Sequence, residues 1–318
     1  MNLYKKTPPP KADIIPHYHL EHGNERVDNY YWLKDIKNPK VIDYLKKENR
    51  YYDQATKKTD DFKKKLYGEM RSRIKEEDTS VPYFFNGYWY ITRYEIGKEY
   101  PIYSRKKKTL DSEEEILFDC NDMAKDHQYF NLTGINVSPD NKKVAYAIDI
   151  LSRRKYTIYV KDLTSGKNLK TKLINTSGSS VWDSGNRFLF YSRKNKKTLR
   201  SETILRYDTF KDSEKKIFYE ADETFSVYVS LSKSRDYIYI SSYSTLTSEH
   251  RFISSNKPFD KFKIIESRTK GLEYDIFHFG IFFYIHTNKD DANNFKLMRT
   301  LISSPSKKNW TDFIPHKK

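Results

Sequence analysis

The chain has 318 residues, enough for two ordinary domains or one large one. Charged residues make up 32% of it and the mean hydropathy is -0.88, yet 4 Trp, 27 Tyr and 19 Phe are too many aromatic side chains for a disordered chain. Only 10 Gly and 11 Pro exclude collagen-like and low-complexity material, no apolar run reaches the ~18 residues of a membrane helix, and a lone cysteine, Cys120, excludes an intrachain disulfide or a cysteine zinc cluster.

The segment Met1–Pro10 has no apolar stretch of the kind a secretory signal needs, so a cytoplasmic location is expected. The Asn-x-Ser/Thr sequons at Asn131, Asn175 and Asn309 then read as chance matches. The formal net charge is +16, but residues 1–78 carry +4 of it and the remaining 240 carry +12. Clusters such as Lys63-Lys64-Lys65 and Lys106-Lys107-Lys108 read as solvated faces or turn tips, not as a stripe that tracks phosphates. Neither a nucleic acid nor a membrane is expected as a partner.

In chain order, Asn38-Pro39 opens the first helix, with Asn as cap and Pro in the first turn. Val41, Leu45 and Tyr52 share a face, and the helix should run to about Thr56. A second helix should follow Thr59, with Asp60 and Asp61 at its positive end and Phe62, Leu66, Met70 and Ile74 as its apolar stripe. Before these helices the Pro-flanked lead is expected to be irregular.

Beyond about residue 78 the hydrophobic period drops toward two. The strongest strand signals are Tyr88–Tyr94, Lys143–Asp149, Arg187–Arg193, Asp236–Ser242 and Gly280–His286. Their centres (Tyr90, Tyr146, Phe190, Tyr239 and Phe283) lie 56, 44, 49 and 44 residues apart. A recurrence of that size, with room for about four short strands per unit, is the pattern of β-propeller blades. Turn signals fit it: Ser138-Pro139-Asp140-Asn141 leads into one strand, and Asp162–Lys167 closes a hairpin. The units fall at roughly 79–126, 127–175, 176–222, 223–268 and 269–318, ending at Trp310-Thr311-Asp312-Phe313 without an obvious closing strand.

Several of these runs together resemble the prolyl oligopeptidase family of serine peptidases, and oligopeptidase B most of all. The lead carries His22-Gly23, Asp28-Asn29-Tyr30-Tyr31-Trp32-Leu33 and Tyr44-Leu45-Lys46-Lys47-Glu48-Asn49; the strand region adds Val137-Ser138-Pro139-Asp140, Tyr156–Leu163, Asp222-Glu223-Thr224-Phe225 and Ser244–Glu249. The resemblance covers essentially the whole chain. It implies a seven-bladed propeller that covers the active site of an α/β-hydrolase domain, admits short peptides, and in oligopeptidase B-like members serves cleavage after Arg or Lys. Such chains are about twice this length, and their Ser-Asp-His triad lies in the later half, so no catalytic residue is carried over.

The residues present offer little chemistry of their own. Gly178-Ser179-Ser180-Val181-Trp182 approaches a nucleophile elbow but has Trp in place of the final Gly. It reads as a turn entering a strand. His17, His19 and His22 are clustered but lack a defined geometry for a metal. Cys120 reads as a small buried hydrophobe. Asp35, Asp43, Glu48 and Asp53, interleaved with Lys, read as weak surface pairs, and Trp32 and Leu33 as an apolar anchor.

The expectation is therefore a mainly β protein: residues 1–78 an α-helical lead that packs on a hydrolase domain, residues 79–318 an incomplete propeller of about five blades. No catalytic, cofactor-binding or metal residue is assigned, and no cofactor is expected. The partners implied by the resemblance are the α/β-hydrolase peptidase domain and, for the complete enzyme, oligopeptides. The competing expectations are a free-standing, non-catalytic interaction propeller and a basic binder of nucleic acid or anionic surfaces.

Overall fold

The computed structural model describes residues 8–317. The chain separates into two compact units, one ending at Glu76 and the other beginning at Glu77.

The first unit opens with an antiparallel hairpin of His17–Glu21 and Asn24–Asp28, where an irregular lead was expected. His22 and Gly23 form its turn, both at positive φ (54° and 79°), a two-residue geometry whose twist matches the paired strands. Helix α1 (Pro39–Thr56) begins at the expected signal: the Asn38 side chain accepts a hydrogen bond from the Lys40 backbone N–H at 3.0 Å. Helix α2 (Asp60–Ser72) places Asp60 and Asp61 in its first turn and stops before Ile74, which therefore lies beyond it. The apolar stripes are largely uncovered. Only Val41 is buried, while Leu45, Tyr52, Phe62, Leu66, Met70 and Ile74 are exposed.

The second unit is a series of antiparallel meanders. In the first sheet Asp78–Thr79 and Tyr83–Phe85 both pair with Tyr88–Tyr94, which is followed by Ile102–Lys107 and Glu114–Asp119. A seven-stranded sheet then runs in chain order from Asn131–Val137 to Ser213–Tyr219. Its long strand Asn168–Trp182 pairs Tyr156–Asp162 with its first half and Phe188–Lys194 with its second, and the register shifts between Thr176 and Ser180. The sheet is thus two four-stranded meanders sharing one strand. Two four-stranded sheets follow: Ser226–Leu231, Tyr237–Tyr243, Ser248–Ser254 and Lys263–Ile264, then Tyr274–Phe279, Phe282–Thr287, Lys296–Leu301 and Thr311–Ile314.

The five recurring sequence signals all occupy the second strand of a meander. Three of these strands start later than expected, at Phe188, Tyr237 and Phe282, because the residues before them close hairpin turns: Asn186, Arg235 and Gly280 have φ of 60°, 69° and 62°. The turns share a device. The side chain of Ser138, Asp183 or Ser232 accepts the backbone N–H of Lys143, Phe188 or Tyr237 at 2.9, 2.7 and 3.1 Å.

Each pair of consecutive meanders encloses its own core. Tyr90, Phe118, Phe130 and Tyr146 fill the first seam; Ile158, Trp182, Leu189 and Tyr191 the second; Phe190, Val227, Ile238 and Ile240 the third; Phe252, Tyr274, Phe283 and Trp310 the fourth. At the second seam two glycines let backbones touch. A Cβ on Gly134 (φ 64°) would lie 1.9 Å from the Gly178 carbonyl oxygen, and one on Gly178 (φ 96°) would strike Thr133 and the Tyr156 ring. Bulges in the pairing lie at both positions.

Candidate functional site

Gly178 is thereby explained by packing. The run Gly178–Trp182 lies inside a strand, not in the turn the sequence suggested, and no helix follows it. The Gly178 N–H donates to Thr176 Oγ1 at 3.2 Å, and Ser177 Oγ accepts from Ser192 Oγ at 2.6 Å. No imidazole accompanies Ser179 or Ser180 in these contacts, so nothing there activates a hydroxyl.

Two serine–histidine–aspartate groupings do occur, and the sequence held no signal for them because each spans two meanders. In the first, Ser241 Oγ is 2.8 Å from His250 Nδ1, and Asp275 Oδ1 is 3.9 Å from His250 Nε2. The carboxylate does not orient the ring: Nε2 hydrogen-bonds the Tyr274 carbonyl at 2.6 Å, while Asp275 accepts from the Tyr243 hydroxyl at 2.9 Å. Burial also pushes the imidazole pKa below its ordinary value, which opposes the imidazolium a triad must form. In the second, Ser234 Oγ is 2.6 Å from His278 Nδ1, whose Nε2 hydrogen-bonds the Gly280 carbonyl at 2.8 Å; Asp236 lies 3.6 Å from Nδ1. Ser234 belongs to a hairpin turn and also pairs with Ser232, so this grouping is turn chemistry. Both tie the fourth meander to the fifth.

His17 and His19 lie on one strand, their rings edge-on to each other at 4.7 Å, and Tyr31 packs against both. The His17 ring stacks on Tyr31 at 3.8 Å and His19 meets it edge-on at 4.7 Å, while His22 sits in the turn. Among the described residues no group of three or more His, Cys, Asp or Glu could hold a metal ion. Cys120 starts the short helix α3 (Cys120–Ala124), and burial pushes its thiol pKa up to about 12, so it stays protonated. Asp43 pairs with Lys47 at 2.7 Å and Glu48 accepts from the Tyr44 hydroxyl at 2.5 Å, both local contacts on α1. Trp32, half-buried, donates from Nε1 to the Asp13 carbonyl at 3.0 Å and lines a cavity of about 350 Å³ with Tyr44 and Pro39.

The charged interior is structural. Arg268 joins Glu220 (2.7 Å) to Glu249 (3.0 Å) between the third and fourth meanders, with its guanidinium 4.0 Å over the Phe225 ring. Arg187 pairs bidentately with Asp208 at 3.0 and 2.6 Å and holds that carboxyl at about 2. The outward side of the last meander is an open apolar surface. There Phe277, Phe279, Phe313 and Ile314 are exposed, and Arg299 lies 5.0 and 5.5 Å over the rings of Phe282 and Phe313. No helix among the described residues is long and apolar enough to cross a membrane.

The comparison with known proteins matches this architecture. The model of the prolyl oligopeptidase N-terminal beta-propeller domain fits residues 10–318. A dipeptidyl aminopeptidase BI from Pseudoxanthomonas mexicana is 35% identical over 97% of this chain and 45% of its own length. Protease 2 of Moraxella lacunata is 33% identical over 94% of this chain and 44% of its own. Oligopeptidase B from Leishmania major has the same fold over 98% of this chain and 47% of its own, with a TM-score of 0.90 and 27% identity. The chain belongs to the prolyl oligopeptidase family and is its N-terminal propeller domain. It spans less than half the length of these relatives, and the family's catalytic domain is not among its 318 residues.

Proposed function

We propose that the chain is the substrate-admitting half of an oligopeptidase B-like serine peptidase. The meanders act as five consecutive blades of a seven-bladed ring, which in the complete enzyme covers an α/β-hydrolase active site and admits short peptides for cleavage after Arg or Lys. The reaction is acyl transfer from the peptide to a seryl hydroxyl, followed by hydrolysis, without a cofactor. Residues 1–78 dock on the hydrolase domain; the uncovered Phe62, Leu66 and Met70 stripe of α2 supports this. The outward face of the last meander is then the surface a following blade covers. A reducing cytoplasm suits the single, protonated Cys120.

The observation that carries the reading is the match of one propeller-domain model to residues 10–318 in a chain covering under half of its peptidase relatives. The test is the purified chain against an Arg- or Lys-ester substrate. The expected result is no turnover above buffer. Hydrolysis abolished by a serine-directed inhibitor would overturn the assignment.

A further inference from the structure

The seam between the first and second meanders is not filled. It holds a cavity of about 220 Å³, where packed interiors leave few voids larger than a water molecule. The strand register puts Tyr83, Phe85, Tyr90, Thr92 and Tyr103 on the face of the first meander that meets the second, and their side chains form one wall. Ile135 and Val137 form the other wall from the second meander. Ile91 and Ser104 pair across the ladder with their side chains on the opposite face, so they border the cavity through main chain. The Tyr83 ring stacks on Tyr90 at 5.3 Å and Arg235 lies 5.1 Å over the Phe85 ring, so the aromatic wall is held in place without a ligand. Tyr83 and Phe85 are exposed, on a strand that pairs only with Tyr88–Tyr94, and form the mouth. One polar atom is stranded inside. Tyr90 is only 8% exposed, and its hydroxyl is buried without a hydrogen-bond partner. Burial raises its pKa, so the group stays a protonated donor. Arg105, directly across the ladder, opposes that shift in part through its charge, but its free Nη1 and the Tyr90 hydroxyl lack hydrogen-bond geometry.

We propose that this cavity binds a phenol, a single ring lying between the tyrosine and aliphatic walls with its oxygen accepting a hydrogen bond from the Tyr90 hydroxyl. Size selects one ring. A dry apolar cavity of ~150 Å³ takes benzene, and 220 Å³ leaves room for a substituent. Charge selects a neutral one. No charged side chain lines the cavity, so a carboxylate would lose its water without a partner. The neighbouring rings already carry cations, Arg105 over Tyr88 at 4.0 Å and Arg235 over Phe85, so an added ammonium meets like charge. The stranded hydroxyl selects an oxygen over a plain hydrocarbon, which would leave it unpaired. The ring is supplied by a free phenol or by the tyrosyl side chain of a peptide. Both meanders that form the site stand in this chain, so it does not depend on what covers the last one.

The test is fluorine NMR of the full chain with 4-fluorophenol, compared with 4-fluorotoluene and 4-fluorobenzoate. Saturable broadening of the phenol resonance is expected, with a Kd of about 1 mM or below, weaker binding of the toluene and none of the benzoate. Tyr90→Phe keeps the ring and should weaken the phenol about fivefold without weakening the toluene. Ile135→Phe fills the space and should abolish binding of both. Phe84→Ala, exposed on the opposite face of the first meander, should change neither; an unchanged melting temperature confirms the fold of each variant. Displacement of the phenol by Gly-Tyr-Gly amide marks a peptide tyrosine as the source of the ring, and displacement by p-cresol alone marks a free phenol; either result upholds the site. No saturation up to about 10 mM, equal phenol affinity in Tyr90→Phe, or benzoate binding as tight as the phenol would each overturn the proposal.

Discussion

Phe283→Ala probes how the meanders hold one another. Phe283 has no exposed surface, and its ring meets Phe252 at 4.9 Å, Tyr237 at 5.5 Å, His278 at 6.0 Å and Tyr239 at 6.2 Å. Truncating a buried Phe to Ala costs about 3–5 kcal/mol. Each well-placed aromatic contact adds ~0.5–1.5 kcal/mol beyond area burial, which puts this site at the upper end. Three of those partners lie on the fourth meander, so the loss falls on one seam. In a stack where each unit touches only its neighbours, the effect should stay local. Hydrogen exchange read by mass spectrometry, with urea unfolding, should show protection lost across residues 237–314 and largely retained across 131–208. Phe283→Leu, which keeps most of the volume but loses the ring contacts, should cost less than Phe283→Ala, about 1–3 kcal/mol. Uniform loss of protection throughout the sheets, or a destabilisation by Phe283→Ala below about 1 kcal/mol, would refute seam-by-seam packing.

Arg268→Met removes the ion-pair partner of the buried Glu220 carboxylate, which keeps only the Asp222 N–H at 3.1 Å, and leaves Glu249 with Arg251 at 2.6 Å and the backbone N–H of residue 268; the expected loss, about 3 kcal/mol by urea titration, follows from an uncompensated buried charge. His250 gives a pH dependence. Burial depresses its folded pKa below the unfolded value of about 6.5, with Asp275, Glu249 and the Tyr274 carbonyl facing it and opposing the shift only in part. Its stabilising contribution is therefore present above that unfolded value and is lost as the pH falls toward the folded one. The melting temperature should drop between about pH 7.5 and about pH 5.5, and drop less in His250→Gln; identical slopes would exclude His250 as the source. Cys120 should resist a disulfide exchange reagent at about pH 8 in the native chain and react fully in denaturant; rapid native reaction would contradict its burial.

The second strand of each meander was legible in the sequence because it is rich in aromatic and β-branched residues, and in the middle meanders it is buried on both faces, as in Phe188–Tyr191 and Ile238–Ile240. Outer strands such as Ser213–Tyr219 carry exposed charges and blend into loops. The helix start at Asn38-Pro39 was readable because capping is local chemistry. The hairpin of His17–Asp28 was missed because its turn, His22-Gly23, lies between strands with almost no buried side chains. The contacts of His250 with Tyr274 and of Gly134 with Gly178 join strands of different meanders, and no local pattern announces them. Gly178–Trp182 was read as a turn entering a strand and lies inside one, because the bulge between Thr176 and Ser180 lets a glycine at positive φ sit within the pairing.

The central claim is that this propeller serves a catalytic domain encoded outside its 318 residues. Co-expression with the part of the Moraxella lacunata relative that this chain does not match, followed by co-purification and assay on an arginyl ester, tests it most directly. A stable complex whose turnover exceeds that of either half alone, and is lost on treatment with a serine-directed inhibitor, is the predicted result. Failure of the two halves to associate, or equal activity of the relative's part without its partner on substrates of every length, would contradict it.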